Sequence, residues 1–125
     1  MVLVMIKRHL KVEVADTPHK HEQGLMFRHK LGEEEGMLFK FKHPHKLRFW
    51  GVNTYLPLSI AFISADNKIT KIGNIKPLSY KAVESDSDSV MAIEANLDFF
   101  SSNKVNVGDE IEIIKEDLGT LIKFY

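Results

Sequence analysis

The 125-residue chain contains no cysteine. This absence excludes disulfides, thiolate metal sites and a cysteine nucleophile together, and it fits a reducing compartment. The sequence also has no apolar run near the roughly 18 residues that a membrane span requires. Its apolar start, Met1 to Ile6, precedes Lys7 and Arg8, whereas a secretory signal places its charge first. We therefore expect an edge strand at the start and a cytoplasmic location.

The chain has no excess charge of either sign, because 17 Lys and Arg balance 17 Asp and Glu. The charges are unevenly placed. Residues 1–51 carry ten Lys or Arg against six Asp or Glu, and residues 82–117 carry two Lys or Arg against ten Asp or Glu. A neutral chain lacks the basic excess expected of a nucleic-acid binder. The composition therefore argues against nucleic acid as a partner.

Motifs for nucleophilic or phosphate chemistry are lacking as well. The sequence has no Gly-x-Ser-x-Gly elbow, no phosphate-cradling glycine loop and no His-Glu-x-x-His helix. Residues 86–88 resemble the opening of a calcium loop, but Met91 stands where that loop needs Gly and Leu97 where it needs Glu. We therefore expect no cofactor and no metal.

The first half of the chain combines strand and helix patterns. Alternating apolar residues predict strands over residues 10–14 and 37–42. Thr17 and Pro18 are typical of a helix start, and the helix is expected to run to about Leu25 or Met26. Gly24 would lie inside this helix and permit close approach to the sheet. Residues 33–36 read as a loop and residues 43–46 as a turn.

The second half is predicted to be mostly strands. Residues 58–63 are apolar on both faces, as in a buried strand, and a turn leads from them to a strand over residues 69–75. A long loop over residues 76–89 precedes a strand over residues 90–95. Asn96 would cap a brief helix over residues 97–103, and strands over residues 110–114 and 118–125 follow. About eight strands, one helix in the N-terminal half and one short helix indicate a mainly-β fold, either a sandwich or a partly open barrel.

Nine short motifs, in one order along the chain, resemble the bacterial and archaeal family called domain of unknown function 192. They are Val14-Ala15-Asp16-Thr17, Gly24-Leu25-Met26-Phe27-Arg28, Glu35-Gly36-Met37-Leu38-Phe39, Phe49-Trp50, Asn53-Thr54, Pro57-Leu58, Ile60-Ala61-Phe62-Ile63, Glu94-Ala95-Asn96 and Gly108-Asp109. The resemblance implies a small β-rich fold, and the activity of the family is unestablished. We expect one domain over residues 1–125, with the match over about residues 12–113 and a C-terminal strand extension over residues 115–125. Members commonly have Met in place of Gly51 and Asp in place of Ser59, so neither position is assigned a role.

Trp50, Asn53 and Thr54 form the first candidate site. A rigid aromatic face beside an amide and a hydroxyl can stack on and hydrogen-bond a sugar or another small polar ligand. The structural alternative places Trp50 in the core and uses the two polar side chains to satisfy backbone groups in a turn. Arg28 and Asp109 complete the candidate ligand-binding set.

Glu94 is the candidate catalytic residue. It ends an otherwise apolar strand, where a half-buried carboxylate would have a perturbed pKa. Paired with Asp109, it could do acid–base work or hold a hard cation. The structural alternative pairs Glu94 with Arg28 or with a backbone amide, and makes Asp109 an ordinary turn residue.

Histidine and methionine are the residues of this sequence that could bind a transition metal. All six histidines lie between His9 and His45, in a pattern that includes two His-x-His pairs. The first pair, His19 and His21, lies on the predicted helix, where rings two residues apart diverge by about 200°. Solvated surface histidines are therefore expected. A copper site of Met26, Met37 and Met91 is not expected, because these residues fall at core positions where Met usually fills gaps.

These observations favour a non-catalytic binding module for a small polar or saccharide-like ligand at Trp50, Asn53 and Thr54. The first alternative is an acid–base enzyme, a hydrolase or lyase, that uses Glu94 while Asn53 orients the substrate. The second is a protein-interaction domain whose opposed basic and acidic surfaces recruit a partner. Absence of a ligand-sized cavity would favour this last function.

Overall fold

Strands dominate the part of the chain that a computed structural model describes, residues 5–125. Within these residues the elements are β1 (Arg8–Ala15), α1 (Pro18–Gln23), β2 (Glu35–His45), β3 (Arg48–Phe49), β4 (Leu58–Ile63), β5 (Ile69–Ile75), β6 (Val83–Glu84), β7 (Ser89–Asn96), α2 (Phe99–Ser102), β8 (Ile111–Glu116) and β9 (Gly119–Phe124). The predicted mainly-β class, with one helix in the N-terminal half and a second short helix, is confirmed.

Seven strands form the main sheet, in the order β5-β4-β7-β2-β1-β9-β8, and β3 and β6 form a separate two-stranded sheet. Neighbouring strands of the main sheet are antiparallel except β1 and β2, which are parallel and are connected through α1. A bridge between Lys68 and Glu110 joins the two edges of the main sheet at one corner. The sheet therefore curls, but it does not close into a barrel.

Each face of the main sheet buries its own cluster of side chains. Along β4, Ile60 and Phe62 belong to one cluster, and Ala61 and Ile63 belong to the other, because successive side chains of a strand point to opposite faces. The first face is covered by α1 and by the segment around β3, with Leu25 and Leu47 of these segments in its cluster. The second face is covered by α2. The candidate site lies on the first face.

α1 begins where the sequence predicted and ends earlier. The Thr17 hydroxyl accepts a hydrogen bond from the Lys20 amide at 3.2 Å, and Pro18 occupies the first turn. Gly24 has a φ of +47°, and its amide donates to the Lys20 carbonyl. The prediction that Gly24 lies inside the helix is therefore wrong, because this backbone conformation ends the helix. The predicted close approach is present, since a Cβ at Gly24 would lie 3.3 Å from the Phe39 ring.

β2 is longer than predicted at both ends. It begins at Glu35, inside the expected loop, and runs through His45, inside the expected turn. Beyond Phe39 the strand has no β1 partner, and its register with β7 shifts between Lys40 and His45. Pro44 is tolerated there because a strand paired on one side leaves some amides without a ladder partner.

Two further predictions need correction. Asn96 does not cap a helix, because it pairs with Leu58 at the end of β7 and its amide nitrogen donates to the Leu31 carbonyl at 2.8 Å. α2 instead follows Asp98, whose φ is +70°. The edge strand predicted over residues 1–6 lies, for residues 1–4, outside the described residues, and the other two residues of that range belong to no strand.

Candidate functional site

A cleft of about 680 Å³ opens on the sheet face that α1 and the segment around β3 cover. Its floor is the sheet itself, at Phe39, Phe41 and Glu94. One wall is formed by residues 18 and 21–26, from α1 and the turn after it. The other wall is formed by residues 48–50 and 52–54, together with Ala82. The cleft is therefore bounded by the sheet below and by two connecting segments at its sides.

Glu94 lies in the floor of the cleft. It faces the same side of the sheet as its cross-strand partners, Met37 on β2 and Ile60 on β4, and only 5% of its surface is exposed. No hydrogen bond or ion pair within residues 5–125 engages its carboxyl group. Burial among apolar neighbours disfavours the charged form and raises the pKa of Glu94 to about 8. The predicted perturbed carboxyl is thus present, and it is largely protonated at neutral pH.

Three other titratable or charged side chains line the same cleft. The Nε2 atom of His21 lies 2.7 Å from the Lys40 carbonyl oxygen, and the imidazole stacks on Phe41 with ring centroids 4.1 Å apart. Glu22 is exposed on α1. The Arg48 Nε atom lies 3.0 Å from a Glu84 carboxylate oxygen. Each of these groups is therefore directed to a partner other than Glu94 or to solvent.

The segment that follows β3 is fixed by backbone hydrogen bonds to two other loops. The Gly51 amide donates to the Ser79 carbonyl at 3.0 Å, and the Leu78 amide donates to the Thr54 carbonyl at 3.1 Å. The Phe27 amide donates to the Asn53 carbonyl at 2.8 Å, which joins this segment to the end of the α1 wall. The two walls of the cleft are therefore held to each other at Asn53.

Trp50, Asn53 and Thr54 differ in how they meet the cleft. Trp50 is 52% exposed and contacts Tyr80 edge to face. Asn53 is exposed and has a φ of +54°, a conformation that Asn adopts more readily than most residues. Thr54 is buried, and its hydroxyl donates to the Val52 carbonyl at 3.1 Å. The aromatic face and the amide are thus available at the surface of the cleft, and the hydroxyl also stabilises the turn.

The structure brings together four of the six candidate residues. Trp50, Asn53, Thr54 and Glu94 line one cleft, whereas Arg28 and Asp109 do not line it. Arg28 forms an ion pair with Glu13, so the alternative that pairs Glu94 with Arg28 is wrong. The alternative that buries Trp50 in the core is also wrong, because half of this side chain is exposed.

Asp109 is a structural turn residue, as its alternative predicted. Its carboxylate accepts a hydrogen bond from the Asn106 amide at 2.8 Å and pairs with Lys7 at 2.7 Å. Arg28, through its hydrogen bonds to the Glu13 carboxylate, holds the pKa of Glu13 below its usual value. Arg28 and Asp109 therefore bind partners outside the cleft, and Asp109 does not form a carboxyl pair with Glu94.

Several cleft residues were not expected from the sequence. Phe39 and Phe41 were assigned only to a strand, although their alternation with Met37 already placed them on one face. His21 was expected to be a solvated surface residue and is half-buried, whereas the other five histidines have their side chains less enclosed. The partial burial of His21 could have been predicted, because His21 lies on the helix face opposite the exposed His19. Among residues 5–125, no group of three or more His, Asp or Glu side chains is placed to hold a metal ion.

The two positions where the chain departs from the family pattern lie outside the cleft. A Cβ at Gly51 would lie 2.0 Å from the Lys76 carbonyl oxygen, so this backbone leaves no room for a side chain. The Ser59 hydroxyl lies 3.0 Å from the Asn74 amide oxygen, and alternation along β4 directs it to the opposite face of the sheet. Neither departure therefore alters the cleft lining.

Comparisons with known proteins agree with this fold. The model of the family DUF192, described as "Uncharacterized ACR", matches residues 2–113. The chain is similar to the crystal structure of a proposed transcription regulator from Sinorhizobium meliloti 1021, with a TM-score of 0.81 and 36% identity over 82% of this chain and 81% of that one. It is also similar to a protein of unknown function from Novosphingobium aromaticivorans DSM 12444, with a TM-score of 0.80 and 32% identity over 82% of this chain and 74% of that one.

No curated protein matches the sequence at a significant level. In the part of the chain that the structure describes, no helix combines the length and the apolar character needed to cross a membrane. The comparisons therefore give the family and the fold, while the cleft is the feature on which a function can be argued.

Proposed function

The chain belongs to the DUF192 family, whose activity is uncharacterised, and from the geometry of its cleft we propose that this protein is a non-catalytic binding module for a small polar or saccharide-like ligand. One observation carries the proposal. Glu94 is a largely buried residue whose carboxyl oxygens still reach an open cleft, and none of the hydrogen bonds or ion pairs within residues 5–125 engages them. Because these oxygens face the cleft and have no partner within the described residues, a ligand that enters the cleft can hydrogen-bond them in place of water.

The size and lining of the cleft support a small ligand. Ligand pockets typically measure roughly 300–1,000 Å³ and combine mostly apolar walls with a few polar groups that orient the ligand. The volume of about 680 Å³ falls in this range, and the lining combines apolar and aromatic side chains with polar ones, among them Asn53, Thr54 and Glu94. Absence of a ligand-sized cavity would have favoured the protein-interaction domain, so the presence of the cleft favours the binding of a small ligand instead.

Trp50, Asn53 and Glu94 have complementary roles in the proposed complex. The exposed face of Trp50 provides a surface on which a sugar ring or another flat polar ligand can stack. The Asn53 amide offers both a donor and an acceptor. The protonated Glu94 carboxyl donates one hydrogen bond from the floor. Thr54 contributes an acceptor, since its hydroxyl proton already points to Val52.

The test is a titration of the purified protein with mono- and disaccharides, nucleotides and amino acids, following the fluorescence of Trp50, the only tryptophan. A saturable change with one of these probes is expected in the wild type and lost or weakened in Asn53→Gly. This variant removes the amide, while glycine accepts the positive φ of position 53.

A matched control is Asp109→Asn, which keeps the acceptor for the Asn106 amide and lies outside the cleft. It is expected to bind as the wild type does. The same loss of response in both variants would point to a general defect rather than to the cleft. If no probe changes the fluorescence, the proposal fails.

An acid–base enzyme is the second candidate, favoured by the position of Glu94 and Asn53 on the same cleft. A carboxyl group with a pKa near 8 is protonated at neutral pH and can act as a general acid. The two functions are distinguished by incubating a bound probe with the protein and analysing it by mass spectrometry. Recovery of the unchanged probe supports binding alone, whereas a product that forms with the wild type and not with Glu94→Gln supports the enzyme.

A further inference from the structure

The charged groups and aromatic rings around Glu94 indicate a narrower chemical class of ligand than a small polar molecule in general. We propose that the cleft binds an organic ammonium ion, whose N–H groups donate to the Glu94 carboxylate while its carbon skeleton packs against the aromatic lining. This inference rests on the proposed binding function and adds the charge of the ligand to it.

The cleft provides no cation of its own for Glu94. None of the ion pairs within the described residues includes Glu94. Among residues 5–125, Arg48 is the one basic side chain with a permanent charge that lines this cleft, and its guanidinium pairs with Glu84 at 3.0 Å. Glu22 adds a second carboxyl group to the wall. When Glu94 is ionised, a cationic ligand would therefore supply the counter-ion that the described residues do not provide, whereas an anionic ligand would be repelled by Glu94 and Glu22.

Aromatic rings line the path to Glu94. Phe39 and Phe49 lie edge to face with centroids 4.9 Å apart, and Phe41 and Trp50 also border the cleft. The negative face of an aromatic ring attracts a cation, and this attraction grows when water is excluded. The same rings offer an apolar surface to the carbon skeleton of an alkylamine. A carboxyl group among aromatic rings is therefore complementary to both parts of such a ligand.

A primary or secondary ammonium fits better than a quaternary one. The Glu94 carboxylate has vacant acceptor sites, which the N–H groups of a primary or secondary ammonium can fill and a quaternary ammonium cannot. A buried ion pair is favourable only when its members are also hydrogen-bonded to each other. A quaternary ammonium would leave the carboxylate without a donor at the bottom of the cleft.

Binding of an ammonium ion requires Glu94 to lose its proton to solvent, which makes the affinity depend on pH. Burial raises the pKa of Glu94 to about 8, whereas an alkylamine resembling lysine stays protonated up to about pH 10. The affinity should therefore rise about tenfold between about pH 6 and pH 7, and less than about twofold above pH 8. The other titratable groups that face the cleft are His21 and Glu22, and Arg48 is permanently charged.

The experiment compares cyclohexylamine with cyclohexanol, which has the same ring and no charge. Each is titrated against the wild-type protein and against Glu94→Gln at about pH 6, 7 and 8, following Trp50 fluorescence and the chemical shifts of the cleft residues. We expect the amine to bind the wild type at least about tenfold more tightly than the alcohol at pH 8. The pH dependence of amine binding should disappear in Glu94→Gln, whose fold is checked by circular dichroism.

The outcomes separate this inference from the function on which it rests. If cyclohexanol or a sugar binds and the amine binds no more tightly, the ammonium inference is overturned and the binding function stands. If Glu94→Gln binds the amine as the wild type does, or keeps the same pH dependence, another group such as His21 is responsible and the inference is likewise overturned. If neither the paired probes nor the panel of sugars, nucleotides and amino acids binds, the binding function itself fails.

Discussion

Replacing Glu94 by Gln should stabilise the protein at alkaline pH, and the gain should grow with pH. Folding raises the pKa of this carboxyl from 4.5 to about 8 because the side chain is buried. Between these two values the folded state binds more protons than the unfolded state, so stability falls as the pH rises through the window. One pKa unit corresponds to ~1.4 kcal/mol, and the whole window therefore corresponds to ~5 kcal/mol.

This penalty is large beside the stability of a domain of this size, which is roughly 5–15 kcal/mol. Glutamine has nearly the shape of the protonated acid and cannot ionise, so the variant should lack the penalty. The difference in free energy of unfolding between Glu94→Gln and the wild type should increase by up to ~1.4 kcal/mol per pH unit from about pH 5.5 to pH 8, and then level off.

The measurement is urea unfolding at several pH values, followed by far-UV circular dichroism. Taking the difference between the two proteins cancels the titration of the six histidines. The matched control is Glu22→Gln, an exposed residue of the same cleft, which should differ from the wild type by less than ~0.5 kcal/mol at every pH. A Glu94→Gln difference that stays constant with pH would refute the reasoning, because Glu94 would then titrate alike in the folded and unfolded chains.

Two further predictions concern residues next to the walls of the cleft. Gly51→Ala places a Cβ 2.0 Å from the Lys76 carbonyl oxygen and should cost ~1–3 kcal/mol; thermal unfolding at the wild-type temperature would contradict the close approach. Thr17→Ala removes the acceptor for the Lys20 amide at the start of α1 and should cost ~1 kcal/mol, while Thr17→Ser should retain most of the stability. Equal urea midpoints for the two Thr17 variants would show that the cap contributes nothing.

Local sequence patterns correctly predicted the elements that depend on adjacent residues alone. Residues 58–63 are apolar throughout, and they form a strand that is buried on both faces. Thr17 and Pro18 marked the start of α1 correctly, since capping depends on neighbouring residues. The sequence also singled out Glu94, because a carboxyl group on an apolar strand has few ways to remain solvated.

The errors arose where distant residues decide the local conformation. Gly24 looked like an interior helix residue, and only the packing against Phe39 reveals the helix end. Asn96 is a residue type that often caps helices, but its side-chain amide donates to the Leu31 carbonyl of a remote loop. The exposure of Trp50 could not be foreseen either, because it depends on how the loop around Leu78 positions the segment after β3.

The two edges of the main sheet are hydrogen-bonded to each other at the corner where β5 and β8 begin. Unpaired edge strands are templates on which another chain can add a strand and begin aggregation. Here the Ile69 amide donates to the Asp109 carbonyl and the Ile111 amide donates to the Asn67 carbonyl, each at 2.9 Å. At this corner each edge thereby occupies backbone groups of the other, and a change that separated the two would expose donors and acceptors of both edges to a second molecule at once.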